Sequence, residues 1–593
     1  MATITPDSPA DILARYRQER DKRIDAKGNG QYVDAVGALA RFGDTDPNAT
    51  PRVERDPITA DVEVLIVGAG FGGLLTAARL KEEGITDVRI LDLASDFGGT
   101  WYWNRYPGVQ CDIESYSYLP LLEETGYVAK HRYAYGDEIL EYCQYLGRYF
   151  DLYPKANFHT AVNDVAWDEA KQRWQVKTDR GDHFSARYFM LAVGRVSRPK
   201  LPGIKGIDTF KGHSFHTSRW DYAYTGGDTH ADLDKLGDKR VAVIGTGATG
   251  IQLIPRVAKT AKQLTVFQRT PSSVGIRGNH ATDVDWYKAQ KPGWQEYRRA
   301  LFLDAASGLC DDSEIRDGWT ETGRILREGK PAHPETLQEM GQRAVMADLQ
   351  VMNGRRQRID DTVKDRETAE KLKPWYNLFC KRPTFNDEFL DAFNRPNVTL
   401  VDASGDNAIT EITENGVVAG GKEYPVDLII YASGFQVIGT VGQRVTFPVK
   451  GRGGKMLEDH WGAGMRTLHG LTAHNFPNWF YIGQGQNAVA ANYTTTVDDQ
   501  AKHLAYILTE AKKRGATVIE PTAEAEQGWL DEIRAANKRP PEFYENCTPG
   551  YYNNEGKGVV TIWAESYAPG AAAFNALLKT WRDDGDLKGL TLR

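Results

Sequence analysis

Short apolar runs rich in β-branched residues recur along the chain, and several end at a glycine. Val62-Glu-Val-Leu-Ile-Val67 runs into Gly68, and Phe189-Met-Leu-Ala-Val runs into Gly194. Arg240-Val-Ala-Val-Ile244 runs into Gly245, and Asp427-Leu-Ile-Ile-Tyr-Ala-Ser into Gly434. Runs this short and this continuously apolar predict strands buried on both faces of a parallel sheet. The period changes between them. Leu74 to Glu83 predicts a helix stopped by Gly84, and Val88-Arg-Ile-Leu91 predicts the next strand, closing on Asp92. A helix containing Gln252 follows Gly250, and Leu264–Phe267 is the strand after it. Asp164 to Asp179 reads as strands around a turn, with further strands at Val398–Val401, Phe480–Ile482 and Val559–Ala564. A long helix starts at Val497, and a last one spans Ala571 to Trp581. Strand–helix–strand order repeated in two places predicts an α/β chain with two Rossmann-like dinucleotide-binding domains.

Two regions break this rhythm. Residues 1–60 are polar and charged, with Ile12, Leu13 and Tyr16 forming one apolar face. They predict a peripheral helix and an extended arm that packs loosely, as a solvated charged face does. Residues 280–375 have helical spacing and many charges, and predict a helical insertion without chemistry of its own. The expected division is a polar extension at 1–60, a discontinuous first nucleotide domain at 61–210 and 426–593, and a second at 211–425 that carries the insertion.

Composition narrows the class. The chain has 593 residues, 41% of them hydrophobic and 26% charged, with a formal net charge of −7. Such a chain can build several buried cores, and its charge does not suit nucleic acid. Its start, Met1-Ala-Thr-Ile-Thr-Pro-Asp, lacks the basic and apolar regions of a secretory signal, and no apolar run reaches membrane-spanning length. The five cysteines, Cys111, Cys143, Cys310, Cys380 and Cys547, are scattered and none forms C-x-x-C. That spacing argues against a disulfide scaffold, a zinc site and a dithiol redox centre, and the expected location is a reducing cytoplasm.

The chemistry is concentrated at glycines and at a few charged residues. Gly68-Ala-Gly70-Phe-Gly72-Gly73 stands between a predicted strand and a predicted helix. Its glycines let the backbone approach a pyrophosphate held on the positive end of the helix. Asp92 follows 19 residues after Gly73 (92 − 73), where a carboxylate takes ribose hydroxyls. The second fingerprint is Gly245-Thr246-Gly247-Ala248-Thr249-Gly250, and Arg269 stands 19 residues after Gly250 (269 − 250). An arginine in that register binds a 2′-phosphate that a carboxylate would repel. The first unit therefore reads as a site for FAD or NAD, and the second, with Arg269 and Thr270, as a site for NADP. Between the first unit and the next strands lies Phe97-Gly-Gly99-Thr100-Trp101-Tyr-Trp103, which continues through Pro107-Gly108-Val-Gln110-Cys111 to Asp112. Adjacent glycines can press on a flat ligand, and the aromatic residues can wall a ring.

The linker between the fingerprints, Phe210-Lys-Gly212-His-Ser-Phe-His216-Thr-Ser-Arg-Trp220-Asp221, fits F-x-G-x-x-x-H-x-x-x-W-[P/D]. The loop from Gly98 to Asp112 fits [A/G]-G-x-W-x-x-x-x-[F/Y]-P-[G/M]-x-x-x-D. With both fingerprints, these motifs resemble the Baeyer–Villiger monooxygenases over roughly residues 60–585. The polar arm and the Cys547-Thr-Pro-Gly-Tyr551-Tyr552-Asn-Asn554 loop resemble the branch that acts on large cyclic, macrocyclic or polycyclic ketones. The resemblance implies that NADPH reduces FAD, that O2 adds to the reduced flavin as a C4a-peroxide, and that one oxygen enters beside a ketone carbonyl to give an ester or lactone. Arg382 resembles the active-site arginine of that family, Asp112 the carboxylate that holds it, and Lys381 the neighbour that binds the 2′-phosphate with Arg269. His216 resembles the linker histidine and is assigned to domain coupling. Tyr118, Val162 and Tyr493 complete the implied cofactor-binding set, whereas Tyr551 and Tyr552 are pocket candidates without an assigned role. Ketone and O2 are the expected partners, with no nucleic acid, membrane or obligate protein partner.

Other readings share parts of this evidence. An N- or S-oxygenating flavin monooxygenase has the same fold, but Trp220-Asp221 and Arg382 argue against it. An NADPH-dependent flavoprotein reductase would make no ester, and its dithiol members need a C-x-x-C. A non-catalytic nucleotide sensor would need neither Arg382 nor Asp112.

Overall fold

The computed structural model describes residues 8–437, 445, 447–537, 541–558 and 566–593. The strand expected at Val559–Ala564 lies outside the described residues. Two parallel-centred sheets organise the rest. The first has eight strands, and Thr59–Val67 is central, flanked in parallel by Val88–Leu91 and His183–Leu191. The hairpin of Val162–Asp168 and Arg173–Thr178 extends it antiparallel, and Trp479–Tyr481 pairs with His183–Leu191. The second sheet runs in the order Val398–Asp402, Gln263–Gln268, Arg240–Ile244, Leu428–Tyr431 and His213–His216, with every pair parallel. The apolar runs are central because both sheet faces are covered. Leu65, Ile66, Val243 and Ile430 have no exposed surface.

Leu428–Tyr431 is an inner strand of the second sheet. The return to the first sheet therefore comes after residue 431, later than the boundary expected at 426. The cause is in the strand itself. Its β-branched and aromatic residues fill the gap between Arg240–Ile244 and the linker strand, which leaves that sheet without an open inner edge.

The insertion is helical as expected, with its main helices at Trp294–Ala306, Glu321–Glu328 and Leu337–Thr362. The N-terminal arm differs from the loose packing expected of it. Pro9–Asp21 is a helix with a capping box at Ser8, and its Ile12 and Tyr16 are buried beside Leu349. Arg15 lies over the Trp375 ring at 3.6 Å. Tyr32–Asp34 then pairs antiparallel with Lys200–Pro202. The apolar face was visible in the sequence, but its partners stand more than 300 residues away.

The cysteines differ too. Cys380 and Cys547 form a disulfide across 167 residues of chain, against the expectation of free thiols in a reducing cytoplasm. Only the tertiary fold brings these two together, so spacing gave no sign of it. The bridge ties the residue before Lys381-Arg382 to the C-terminal loop. Among the described residues, no helix is long and apolar enough to cross a membrane.

Candidate active site

Both glycine loops have the same construction. Gly68 (φ 115°) and Gly245 (φ 110°) turn the chain beneath the end of a neighbouring strand. A Cβ on Gly68 would lie 2.3 Å from the Ala192 carbonyl oxygen, and one on Gly245 would lie 2.5 Å from that of Ala432. Gly73 and Gly250 pack on the carbonyls of Gly68 and Gly245. Helices Phe71–Glu82 and Ala248–Thr260 follow, and their first N–H groups have no partner within the helix. Both loops thus fit a pyrophosphate.

Beyond that, the surroundings of the two loops diverge. The Gly70 backbone faces Gly99, whose own Cβ would lie 2.7 Å from the Gly70 Cα. The Asp92 carboxylate accepts from the Ala69 and Ala94 N–H groups, so it braces the loop from inside. Burial raises its pKa while those bonds act against the shift. At the second loop, Gly247 and Ala248 are exposed, and a Cβ on Gly247 would meet nothing within 4 Å. Thr246 donates to the Thr270 carbonyl at 3.2 Å. The buried Thr270 hydroxyl has no hydrogen-bond partner, a donor available to a ligand beside Arg269.

The aromatic loop joins the units. Trp101 and Trp103 are buried on the short helix Thr100–Trp103, and Trp101 donates to the Tyr118 hydroxyl at 3.0 Å. Gln252, on the helix of the second loop, accepts from the Tyr106 hydroxyl at 2.8 Å and donates to the Gln110 carbonyl at 2.9 Å. Arg277 donates to the carbonyl of Cys111 and to the Gln110 side chain. The thiol of Cys111 is buried, and that burial pushes it above the usual range. Val162 begins a strand of the first sheet, and Tyr493 starts the helix Tyr493–Lys513, four residues before the expected start (497 − 493).

Arg382 and Asp112 meet, as the family resemblance implies. The Arg382 Nη2 donates to Asp112 Oδ1 at 2.6 Å and its Nε to Oδ2 at 3.1 Å. Burial works against the charge on Arg382, but the Asp112 carboxylate outweighs it, and the guanidinium is held above its ordinary pKa. This two-point pairing fixes the plane of the cation as well as its position. Trp319, from the insertion, lies with its ring 4.7 Å from the Arg382 guanidinium and donates to the Asp112 carbonyl at 3.1 Å. Charge spacing could not reveal Trp319, because it stands in a segment with no motif. Tyr551 and Tyr552, with ring centroids 4.3 Å apart, complete the surroundings of Arg382.

The linker holds these parts in register. His216 is fully buried. Its Nε2 donates to the Gly434 carbonyl at 3.0 Å, which leaves Nδ1 to accept from the Ser218 hydroxyl at 2.8 Å. Burial, with the nearby Arg219, lowers its pKa to about 3, so the ring is neutral and cannot act as an acid near neutral pH. Trp220 is buried and donates to Thr225 at 3.1 Å, and Asp221 caps the helix Tyr222–Thr225. Arg219 donates to the Gly43 carbonyl and stands 4.0 Å over the Trp103 ring. One arginine therefore touches the N-terminal arm and the aromatic loop of the first unit.

Lys381 stands beside Arg382 and faces Arg269. Burial lowers its pKa to about 8, and Arg269 adds to the shift. Arg269 donates to Gln31 at 2.6 Å and to Glu555 at 2.9 Å. Lys200, Gln31 and Glu555 lie near neither fingerprint in sequence, so no motif points to them.

A profile described as pyridine nucleotide-disulphide oxidoreductase matches residues 62–282. The chain is 47% identical to a Baeyer–Villiger monooxygenase of Streptomyces coelicolor over 98% of its own length and 96% of that protein. It superposes with a TM-score of 0.88 on the polycyclic ketone monooxygenase of the fungus Thermothelomyces thermophila, at 37% identity, covering 98% of this chain and 99% of that one. A solved complex of OTEMO with FAD and NADP matches at 28% identity and a TM-score of 0.73, covering 91% of this chain and all of that one. Identity at this level over the whole chain, joined to the Arg382–Asp112 pair between two nucleotide loops, places the chain in the Baeyer–Villiger monooxygenases.

Proposed function

We propose that this monooxygenase acts on a bulky cyclic or polycyclic ketone, with FAD on the Gly68 loop and NADPH on the Gly245 loop. The observation that carries the reading is the Arg382–Asp112 pair. Its two members come from opposite nucleotide units, and it is fixed at two points. FAD, when bound, supplies the chemistry that activates O2 for insertion beside the carbonyl. The residues of the chain supply the field. Arg382 is the permanent cation facing the reacting centre, where preorganised charge is the largest catalytic contribution. Asp112 holds its plane, and Trp319 covers one of its faces. Arg269, Thr270 and Lys381 receive the 2′-phosphate of NADPH, and Asp92 serves the adenosine side of FAD by fixing its loop. Tyr551 and Tyr552 bound the ketone side. Neutral His216 moves no proton and ties the linker strand to the Gly434 turn at the end of the neighbouring strand.

A panel of ketones with product identification tests this reading. Esters or lactones from polycyclic ketones, formed with NADPH and O2, are expected. Turnover confined to small monocyclic ketones would overturn the substrate class, and sulfoxidation without any ester would overturn the assigned role of Arg382.

A further inference from the structure

The cations assigned to the 2′-phosphate already have an anion. Each oxygen of the Glu555 carboxylate faces a different cation: Oε2 is 2.9 Å from Arg269 Nη2, and Oε1 is 3.6 Å from Lys200 Nζ. The Glu555 side chain is almost fully buried, at 3% exposure. Lys381 and Arg23 belong to the same cluster. The second free arm of Arg269 is taken as well, because Nη1 donates to Gln31. Tyr32 completes the enclosure. Its ring lies under the Lys200 ammonium at 3.5 Å, and its buried hydroxyl stands near the charges of Arg269 and Glu555. Asn29 of the arm donates to Asn554 of the loop. The N-terminal extension and the C-terminal loop thus close over Arg269 together.

Two features make this arrangement replaceable. First, partly enclosed cations need a counter-charge, and a cluster of Arg269, Lys200 and Lys381 around one carboxylate keeps a surplus of positive charge. A phosphate dianion satisfies that surplus better than a single carboxylate does. Second, Asn554 (φ 53°) and Glu555 (φ 54°) are consecutive non-glycine residues in the left-handed region, followed by Gly556 (φ 86°). Such a turn is strained and is held in place by its contacts. Arg269 Nη1 and Nη2 each already have a partner, so a phosphate bound at both must share these groups with Gln31 and Glu555 or displace them.

We propose that Glu555 is a coenzyme-specificity residue: it is the built-in counter-ion of the 2′-phosphate site, NADPH displaces it, and NADH leaves it in place. This rests on the assignment of Arg269 and Lys381 to the 2′-phosphate. The energy of breaking the Glu555–Arg269 pair is subtracted from NADPH binding alone. Glu555 therefore lowers the preference for NADPH, and the arm residues Gln31 and Tyr32 become part of the coenzyme site.

The test compares KM and kcat for NADPH and NADH in FAD-loaded wild type, Glu555→Gln and Arg269→Ala. In Glu555→Gln the KM for NADPH is expected to fall roughly three- to ten-fold, the net value of one typical hydrogen bond. The KM for NADH should stay or rise, and kcat should hold. An NADPH KM that is unchanged or raised overturns the proposal. Arg269→Ala examines the underlying assignment separately, since equal losses with both coenzymes would refute the phosphate site itself. A second measurement needs no variant. Amide hydrogen exchange of residues 551–558 in the wild-type holoenzyme should rise with adenosine 2′,5′-bisphosphate and not with adenosine 5′-monophosphate. Unchanged or slower exchange with the bisphosphate would overturn the displacement.

Discussion

The two glycine loops share one backbone and differ in what covers them. The Gly68 loop is closed by its own unit. Gly99 presses on Gly70, and Asp92 ties down Ala69 and Ala94, all within about one βαβ neighbourhood. The Gly245 loop is open at Gly247, and its cation Arg269 is covered by residues 31–32 from one end of the chain and 555 from the other. Under the proposed assignment, the first loop keeps its ligand through the cycle and the second lets one come and go. A resident flavin and an exchanging nicotinamide coenzyme need that difference. The Arg382–Asp112 pair bridges the two, and its geometry depends on both units being in place.

The largest expected effect comes from cutting that bridge. Arg382→Ala should still allow NADPH to reduce the flavin, while ester formation falls by about 10³-fold, the scale of losing a preorganised charge in a closed site. Stopped-flow reduction and product analysis check the two halves separately. Ester formation near the wild-type rate would remove Arg382 from the reacting centre. Next in size, Arg269→Ala with Lys381→Ala should raise the KM for NADPH about a hundred-fold, from the loss of two charge-assisted contacts. NADH should change far less. Equal losses would mean that the open loop does not read the 2′-phosphate.

The loops can also be compared by one substitution at each. Gly68→Ala places a side chain against the Ala192 carbonyl at a left-handed φ. It should cost about 2–5 kcal/mol of stability, seen as a lower unfolding midpoint and loss of bound flavin. Gly247→Ala meets open space at φ −71°. Its stability should hold within about 0.5 kcal/mol, while the KM for NADPH rises about ten-fold as the backbone is held away from the pyrophosphate. Equal destabilisation by both would erase the distinction between a closed and an open loop.

Local chemistry made much of this legible in the sequence. The apolar runs ending at Gly68 and Gly245 gave both central strands, and the family resemblance paired Arg382 with Asp112 across 270 residues. The site's outer parts were not legible, for a common reason. Trp319 sits in a turn of the charged insertion, whose helical spacing describes only a solvent face. Tyr32 and Glu555 stand in a polar arm and a polar loop. Cys380 and Cys547 lie 167 residues apart. Each acts through a contact that exists only after both units and both chain ends have docked. Periodicity reports which face is buried, and it is silent on what buries it. The strand Leu428–Tyr431 shows the same limit, because its composition fits the interior of either sheet.

The smallest expected effect concerns pH, and it separates the loops again. Burial, reinforced by Arg269, lowers Lys381 from the ordinary lysine value to about 8. Its ammonium is therefore present below about pH 8 and lost as pH rises through that value. A 2′-phosphate favours the charged form, so NADPH binding above pH 8 must take up a proton, and affinity declines there. The KM for NADPH should rise by about five- to ten-fold between about pH 7 and pH 9.5 and then level off, as one charged partner becomes neutral. NADH, without the phosphate, should show no such rise. Lys381→Arg should flatten the NADPH profile, because a guanidinium keeps its charge through this range. Flavin retention on the Gly68 loop should not follow the same curve, since Lys381 stands beside Arg269 at the other loop. A profile that persists in Lys381→Arg would assign the titration to another group, and the open loop would lose its proposed phosphate sensor.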